Sequence, residues 1–231
     1  MIFRAVALAV VLCCAATACD SGAAPGPPPT AAPSHTVTGG APADMAYTLN
    51  LLDGAKVVQV HAAPLHGHLF QITTPTGSEV VPAAHQDGSA VEVNLAGGGN
   101  GDLSITLDEI VPWNLKFSSG VSTLSVDMRS GTLRGLTALQ GISTVDLTAG
   151  APHGRVVLRE LGGMSVLALH VPRITPVSVK AYAGAGTVSV FGQSESGVSA
   201  GTTLSSPYLG PSLYRVDAVG GVGTLTVDTA G

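Results

Sequence analysis

Five segments of this chain, GVSTLSV (residues 120–126), GISTVDL (141–147), GMSVLAL (163–169), GAGTVSV (184–190) and GVGTLTV (221–227), share one pattern, and GNGDLSI (99–105) opens the series. Each begins with Gly, has a small residue two places on and carries Val, Leu or Ile at its fifth and seventh positions. The starts lie 21, 21, 22, 21 and then 37 residues apart, so the first five are nearly periodic and the sixth follows an insertion. Repetition at such a period marks an array of small structural units.

The two apolar positions are two residues apart, the spacing of a strand and not of a helix. Leu124 and Val126, Val145 and Leu147, Leu167 and Leu169, Val188 and Val190, and Leu225 and Val227 therefore point to one face. Ser125, Asp146, Ala168, Ser189 and Thr226 point to the other. Between the copies lie further alternating runs: WNLKF from Trp113, RVVLRE from Arg155 and PVSVKA from Pro176. Each repeat thus supplies about two short strands and two corners, the size of one coil of a β-solenoid. One coil cannot bury its apolar face alone, so neighbours must stack. The expected fold is all-β: a single-domain, β-solenoid-like stack with a period of about 21 residues.

Outward from the repeats, residues 45–95 read as N-terminal cap strands, 96–191 as the repeats, 192–211 as an inserted loop and 212–231 as closing strands. The domain spans 45–231. Residues 19–44, rich in Pro, Ala and Gly, cannot bury enough apolar surface to fold and read as a disordered tether. Residues 1–18 form a signal peptide, with Arg4 before a short apolar core and Ala16-Thr17-Ala18 before Cys19. Small residues followed directly by Cys resemble a bacterial lipobox, which places an acyl lipid such as palmitate on Cys19 and the domain at the extracytoplasmic face of the cell membrane. Cys13 and Cys14 leave with the signal, so the mature domain has no thiol chemistry.

Charge narrows the partners. The chain is 11% charged with a net charge of −5, and loss of Arg4 makes it −6. A mildly acidic, thinly charged surface argues against nucleic acid, whose binders carry a basic patch. The expected partners are the membrane, through the lipid on Cys19, and an envelope protein or glycan.

The segment from Pro112 to Gly192 resembles the toastrack-type β domains of bacterial envelope proteins, among them the cell wall-active antibiotics response and adhesin-like families. The resemblance rests on Pro112-Trp113 entering a strand and on GVSTLSVDM, GISTVDL and GAGTVSVFG at about twenty-residue spacing. The ending YRVDAVGGVGTLTVD, from Tyr214, is similar to the last strands of actinobacterial proteins of this architecture. It implies a non-enzymatic envelope lipoprotein acting in binding, adhesion or structure, and supplies no catalytic residues.

Several constellations are weighed against that reading. Gly197-Val198-Ser199-Ala200-Gly201 is a literal GxSxG, but no helix and no later His follow to make Ser199 a nucleophile. His61, His66, His68 and His85 are candidate metal ligands, with His66-Gly67-His68 placing two imidazoles on one strand face and Glu79 or Asp87 completing a set. Surface histidines are the plainer reading, and no metal or cofactor is expected. Asp127, Asp146 and Asp228 suggest a carboxylate line as in a polysaccharide-acting enzyme, although only Asp127 and Asp228 share a repeat register. Gly97 to Asp102 reads as a tight turn, and Trp113 as a corner-packing residue or a carbohydrate platform.

Overall fold

The structure, a computed structural model, describes residues 35–98 and 100–230. The signal peptide, Cys19, the opening Gly99 and most of the tether lie outside the described residues. Among those described, every regular element is a strand.

The chain opens with β1 (Thr36–Gly39), β2 (Tyr47–Leu51), β3 (Ala55–Ala63), β4 (Phe70–Thr73), β5 (Val81–Asp87), β6 (Ala90–Ala96) and β7 (Asp102–Asp108). The periodic region follows: β8 (Pro112–Phe117), β9 (Val121–Met128), β10 (Thr132–Ala138), β11 (Ile142–Ala149), β12 (Arg155–Glu160), β13 (Met164–Val171), β14 (Val177–Ala181) and β15 (Ala185–Val190). Last come β16 (Gln193–Val198), β17 (Thr202–Ser205), β18 (Leu213–Ala218) and β19 (Val222–Thr229).

These strands form two sheets. One runs β1-β4-β7-β3-β9-β11-β13-β19-β15-β16, the other β17-β14-β18-β12-β10-β8-β2-β6-β5. Each coil gives one strand to the second sheet and the next to the first, and equivalent strands of successive coils pair in parallel. The repeat register is kept residue for residue. Leu103, Val58, Leu124, Val145, Leu167, Leu225 and Val188 form one inward row across the first sheet. Ile105, Val60, Val126, Leu147, Leu169, Val227 and Val190 form the next. All of them are buried, facing the inward row Leu115, Leu136, Leu158, Val216 and Val179 of the second sheet. The expected solenoid-like stack is therefore the fold.

Coil order in space departs from coil order in sequence at both ends. β2–β3, the first coil of the chain, lies between β6–β7 and β8–β9. β18–β19, the last coil, lies between β12–β13 and β14–β15. Residues 212–230 thus close no end of the stack. Within 45–95, β2, β3 and β6 belong to full coils inside the stack, while β4 and β5 lie toward its end. The ends are made by strands that turn back: β4 is antiparallel to β7, β5 to β6, β16 to β15 and β17 to β14. Segment 192–211, expected as a loop, supplies two of these strands. β1 starts inside the expected tether and pairs antiparallel with β4. A parallel coil leaves open N–H and C=O groups at its edge, and short antiparallel strands with charged or polar side chains blunt that edge.

Corner chemistry explains the glycines. Gly221 has φ of 90°, a region closed to most L-residues. At Gly162 the constraint is space: a Cβ there would lie 2.2 Å from the carbonyl carbon of Gln140 in the coil beside it.

Polar groups inside the stack also sit at corners. Glu160 occupies an inward row between Ala138 and Ala218, and its carboxylate accepts hydrogen bonds from the N–H groups of Gly163 and Gly220. Asp108, 1% exposed, accepts from the N–H groups of Leu65 and Ile110. Trp113 is fully buried, donates its indole N–H to the Asp108 carbonyl at 2.9 Å and lies against Tyr47. It is a core residue and offers no face to a sugar.

Candidate functional site

Strand periodicity sends alternate side chains of each sheet outward, and parallel register stacks them into rows about 4.8 Å apart from strand to strand. The two outer faces differ in chemistry.

The first sheet presents hydroxyls and carboxylates. Thr123, Thr144, Val166, Thr224 and Thr187 make one row; Ser125, Asp146, Ala168, Thr226 and Ser189 make the next. A third row runs Thr106, His61, Asp127, Thr148, His170 and Asp228. Strands β9, β11, β13, β19 and β15 carry Asp127, Asp146 and Asp228 and neither Lys nor Arg. Asp127 is bound by Arg129, just beyond its strand, at 2.6 Å. That hydrogen-bonded guanidinium holds the Asp127 carboxyl below the ordinary aspartate range. His170 stands between two carboxylates, with Nδ1 bonded to Asp228 and Nε2 3.4 Å from Asp146.

This geometry bears on the sequence candidates. Asp127 and Asp228 share a row, as their common offset implies, but stand three strands apart, about 14 Å from strand spacing alone. That exceeds the ~5–9.5 Å over which two carboxyl groups act on a glycosidic bond. His61 Nε2 is bonded to Thr106 Oγ1 at 3.0 Å and its strand position adjoins Asp127. His66 and Gly67 have φ of 47° and 103°, so the His66-Gly67-His68 segment is a turn and not a strand face. His85 lies on β5 of the other sheet, opposite Glu92. Among the described residues no three His, Cys, Asp or Glu come together as a metal-holding group. Ser199 is exposed in the turn between β16 and β17, and a strand follows it.

The second sheet is basic. Strands β8, β10, β12, β18 and β14 carry Lys116, Arg134, Arg155, Arg159, Arg215 and Lys180, six of the ten Lys and Arg of the chain. One acid, Asp217, stands among them on the outer face. It takes Arg215 at 2.8 Å and Arg159 at 3.5 Å, and Arg215 also donates to the Tyr182 hydroxyl at 3.0 Å. Lys180 lies 4.4 Å from the centroid of the Tyr182 ring. Lys116 and Arg134 have no carboxylate partner among the described residues.

A groove of about 450 Å³ opens at this end of the basic face, lined by Asn114, Lys116, Arg134, Gly135, Thr137 and Arg159 among others. Its shape comes from β10. The pairing of β10 with β8 slips between Leu133 and Gly135, which turns Arg134 out as the extra residue of a bulge. Gly135 then leaves the floor open where a side chain would meet the Val157 carbonyl and the Asn114 amide oxygen.

Leu139 and Leu161 line the groove and open an apolar ridge that Val219 and Tyr182 continue at the next corners. Leu139, Leu161, Val219 and Tyr182 each follow an inward strand residue at a corner, and each N–H donates to the preceding coil in the stack. The donors are Leu139 to Phe117, Leu161 to Ala138, Val219 to Glu160 and Tyr182 to Ala218. The four residues are 36–41% exposed, and their N–H bonds set them at equivalent corners of successive coils.

No protein-family model matches this chain, and no curated protein matches it. Among solved structures it is similar to a candidate cell adhesion protein from Clostridium sporogenes, with a TM-score of 0.56 and 16% identity. That match covers 81% of this chain and 94% of the other. A candidate adhesin from Bacteroides fragilis aligns over 83% of this chain and 96% of its own, at 11% identity and a TM-score of 0.30. The Clostridium likeness is one of fold.

Proposed function

We propose that this protein is a non-catalytic binding or adhesion module of the bacterial cell envelope, of the toastrack-type class, held to the membrane by a lipid on Cys19. The observation that carries the reading is the groove on the second sheet, where Lys116, Arg134 and Arg159 gather beside an exposed apolar ridge. A rigid stack that presents long rows of side chains is suited to an extended partner, because the rows keep their spacing without ordering on contact. The adhesion-related name of the Clostridium neighbour agrees with this use of the fold.

Two measurements test it. Intact mass and fractionation of the expressed protein, wild type against Cys19→Ala, should show a diacylglycerol adduct and membrane retention lost in the variant. An unmodified, soluble wild type would remove the tether from the reading. Co-sedimentation of the full-length Cys19→Ala chain with washed cell envelopes should be saturable; absence of binding would overturn the module itself.

A further inference from the structure

We propose that the groove of the second sheet binds a linear acidic polysaccharide, with Lys116, Arg134 and Arg159 holding its carboxylates and the Leu139–Leu161–Val219–Tyr182 ridge carrying the apolar faces of its sugars. The inference rests on the binding-module reading and names the ligand class of that site.

Charge is the first argument. Two sets of five paired strands, folded from the same repeats, divide their ionic groups: six Lys and Arg on one side, three Asp and no Lys or Arg on the other. The basic side has a single outward acid among those strands, Asp217, which the Arg215 and Arg159 guanidiniums already neutralise. Lys116 and Arg134 remain for an external anion. The Arg159 side chain is 53% exposed and its contact to Asp217 is long, which leaves its fork able to turn to a carboxylate.

Spacing is the second. Lys116, Thr137 and Arg159 are register partners on three adjacent strands. Their backbones step by about 4.8 Å, so the two cations stand about 10 Å apart along the stack. An array that repeats along one axis matches a polymer that repeats its charge, better than a compact anion filling one pocket.

The ridge distinguishes a glycan from a bare polyanion or a lipid surface. A phosphate chain makes no use of the ridge beside the cations. A bilayer would call for protruding apolar side chains, whereas these four lie flush, none more than 41% exposed. A pyranose needs what is here: flat apolar surface for its C–H face, and hydroxyl partners on the groove floor. The side chains of Asn114 and Thr137 supply those partners. The Tyr182 ring is held by Arg215 at its hydroxyl and Lys180 at its face, so it meets a ligand already ordered.

The test uses the full-length Cys19→Ala chain with four probes: polygalacturonate, neutral dextran, inorganic polyphosphate and phosphatidylglycerol vesicles. Saturable binding to polygalacturonate alone, weakened on the order of tenfold or more by Lys116→Gln/Arg134→Gln, is the expected result. Leu161→Ser should weaken it severalfold, and Asp146→Asn on the opposite face should leave it unchanged. Unfolding midpoints of each variant check the fold; a salt titration of the parent chain supplies a second readout should the double variant unfold. Equal binding of polyphosphate with no effect of Leu161→Ser would overturn sugar recognition. Preference for vesicles would assign the face to lipid. If none of the probes binds while envelopes still sediment the protein, this inference fails and the binding module stands. If envelopes do not bind either, both fail.

Discussion

Leu167 on β13 lies directly beside Leu225 on β19, and Val188, from the next copy of the repeat in sequence, lies one strand further away. The last coil of the chain has been slotted into the stack. Its inward side chains are buried on both flanks, Leu225 and Val227 completely. Removing residues 212–230 should therefore open the middle of the domain instead of trimming an end. We expect that truncation to abolish cooperative thermal unfolding. Leu225→Ala should cost about 2–5 kcal/mol in urea denaturation, the cost of a central cavity, and a small loss there would contradict the slotted arrangement.

The inward and outward rows make a sharper contrast within one sheet. Leu147 and Leu167 are nearly inaccessible, while Ser125 and Ser189 face outward on the same sheet. Leu147→Asp or Leu167→Asp buries an unpaired charge and should leave no folded protein at ambient temperature. Ser125→Asp and Ser189→Asp should shift stability by about 0.5 kcal/mol or less. Circular dichroism melts of the four variants decide it, and equal effects on both faces would mean the register is wrong.

Corners are constrained as tightly as cores. A methyl at Gly162 would overlap the backbone of Gln140 and Gly141, which no rotamer change relieves because both neighbours are main chain. Gly162→Ala should cost about 3 kcal/mol or more. Gly154, whose added Cβ would meet nothing within 4 Å, has φ of 80°, so Gly154→Ala pays only for backbone strain, about 1 kcal/mol. Chemical denaturation of the pair would separate crowding from conformation.

Much of this fold was legible because two apolar positions recur beside each opening Gly. One copy is hidden by a local feature. Gly54 to Val60 has Val58 and Val60 in the required places, but Lys56 stands where the other copies have a small residue. The spatial order of coils left no trace of that kind. Parallel ladders of Val and Leu are nearly interchangeable neighbours, so Leu225 fits beside Leu167 or beyond Val188 by pattern alone. The 37-residue gap announces an excursion without saying that the chain comes back inside it. The basic face was present in the runs WNLKF, RVVLRE and PVSVKA, yet a net charge averages it against the Asp residues of the alternating strands. Only the two-sheet geometry puts those runs on one side.

Glu160 couples the stability of the stack to pH. Burial pushes its carboxyl above the ordinary glutamate value of 4.5, against the Gly163 and Gly220 N–H groups, which favour the anion. A raised value in the folded state means that folding binds the proton more tightly. The stability this contributes is complete below the unfolded value and is lost as pH rises through the folded one. Glu160→Gln removes the titration and turns an amide N–H toward one of the two glycine donors, at a cost of about 1–3 kcal/mol near neutral pH. Acidification from pH 7 toward 4.5 should then widen the gap in stability between wild type and Glu160→Gln. Asp127 shifts the opposite way, but it sits on the exposed outer face beside Arg129, where solvent screening keeps its contribution small. Urea titrations of both proteins across that range are the measurement. A gap that narrows on acidification would mean that the two backbone donors, and not burial, govern the Glu160 carboxyl.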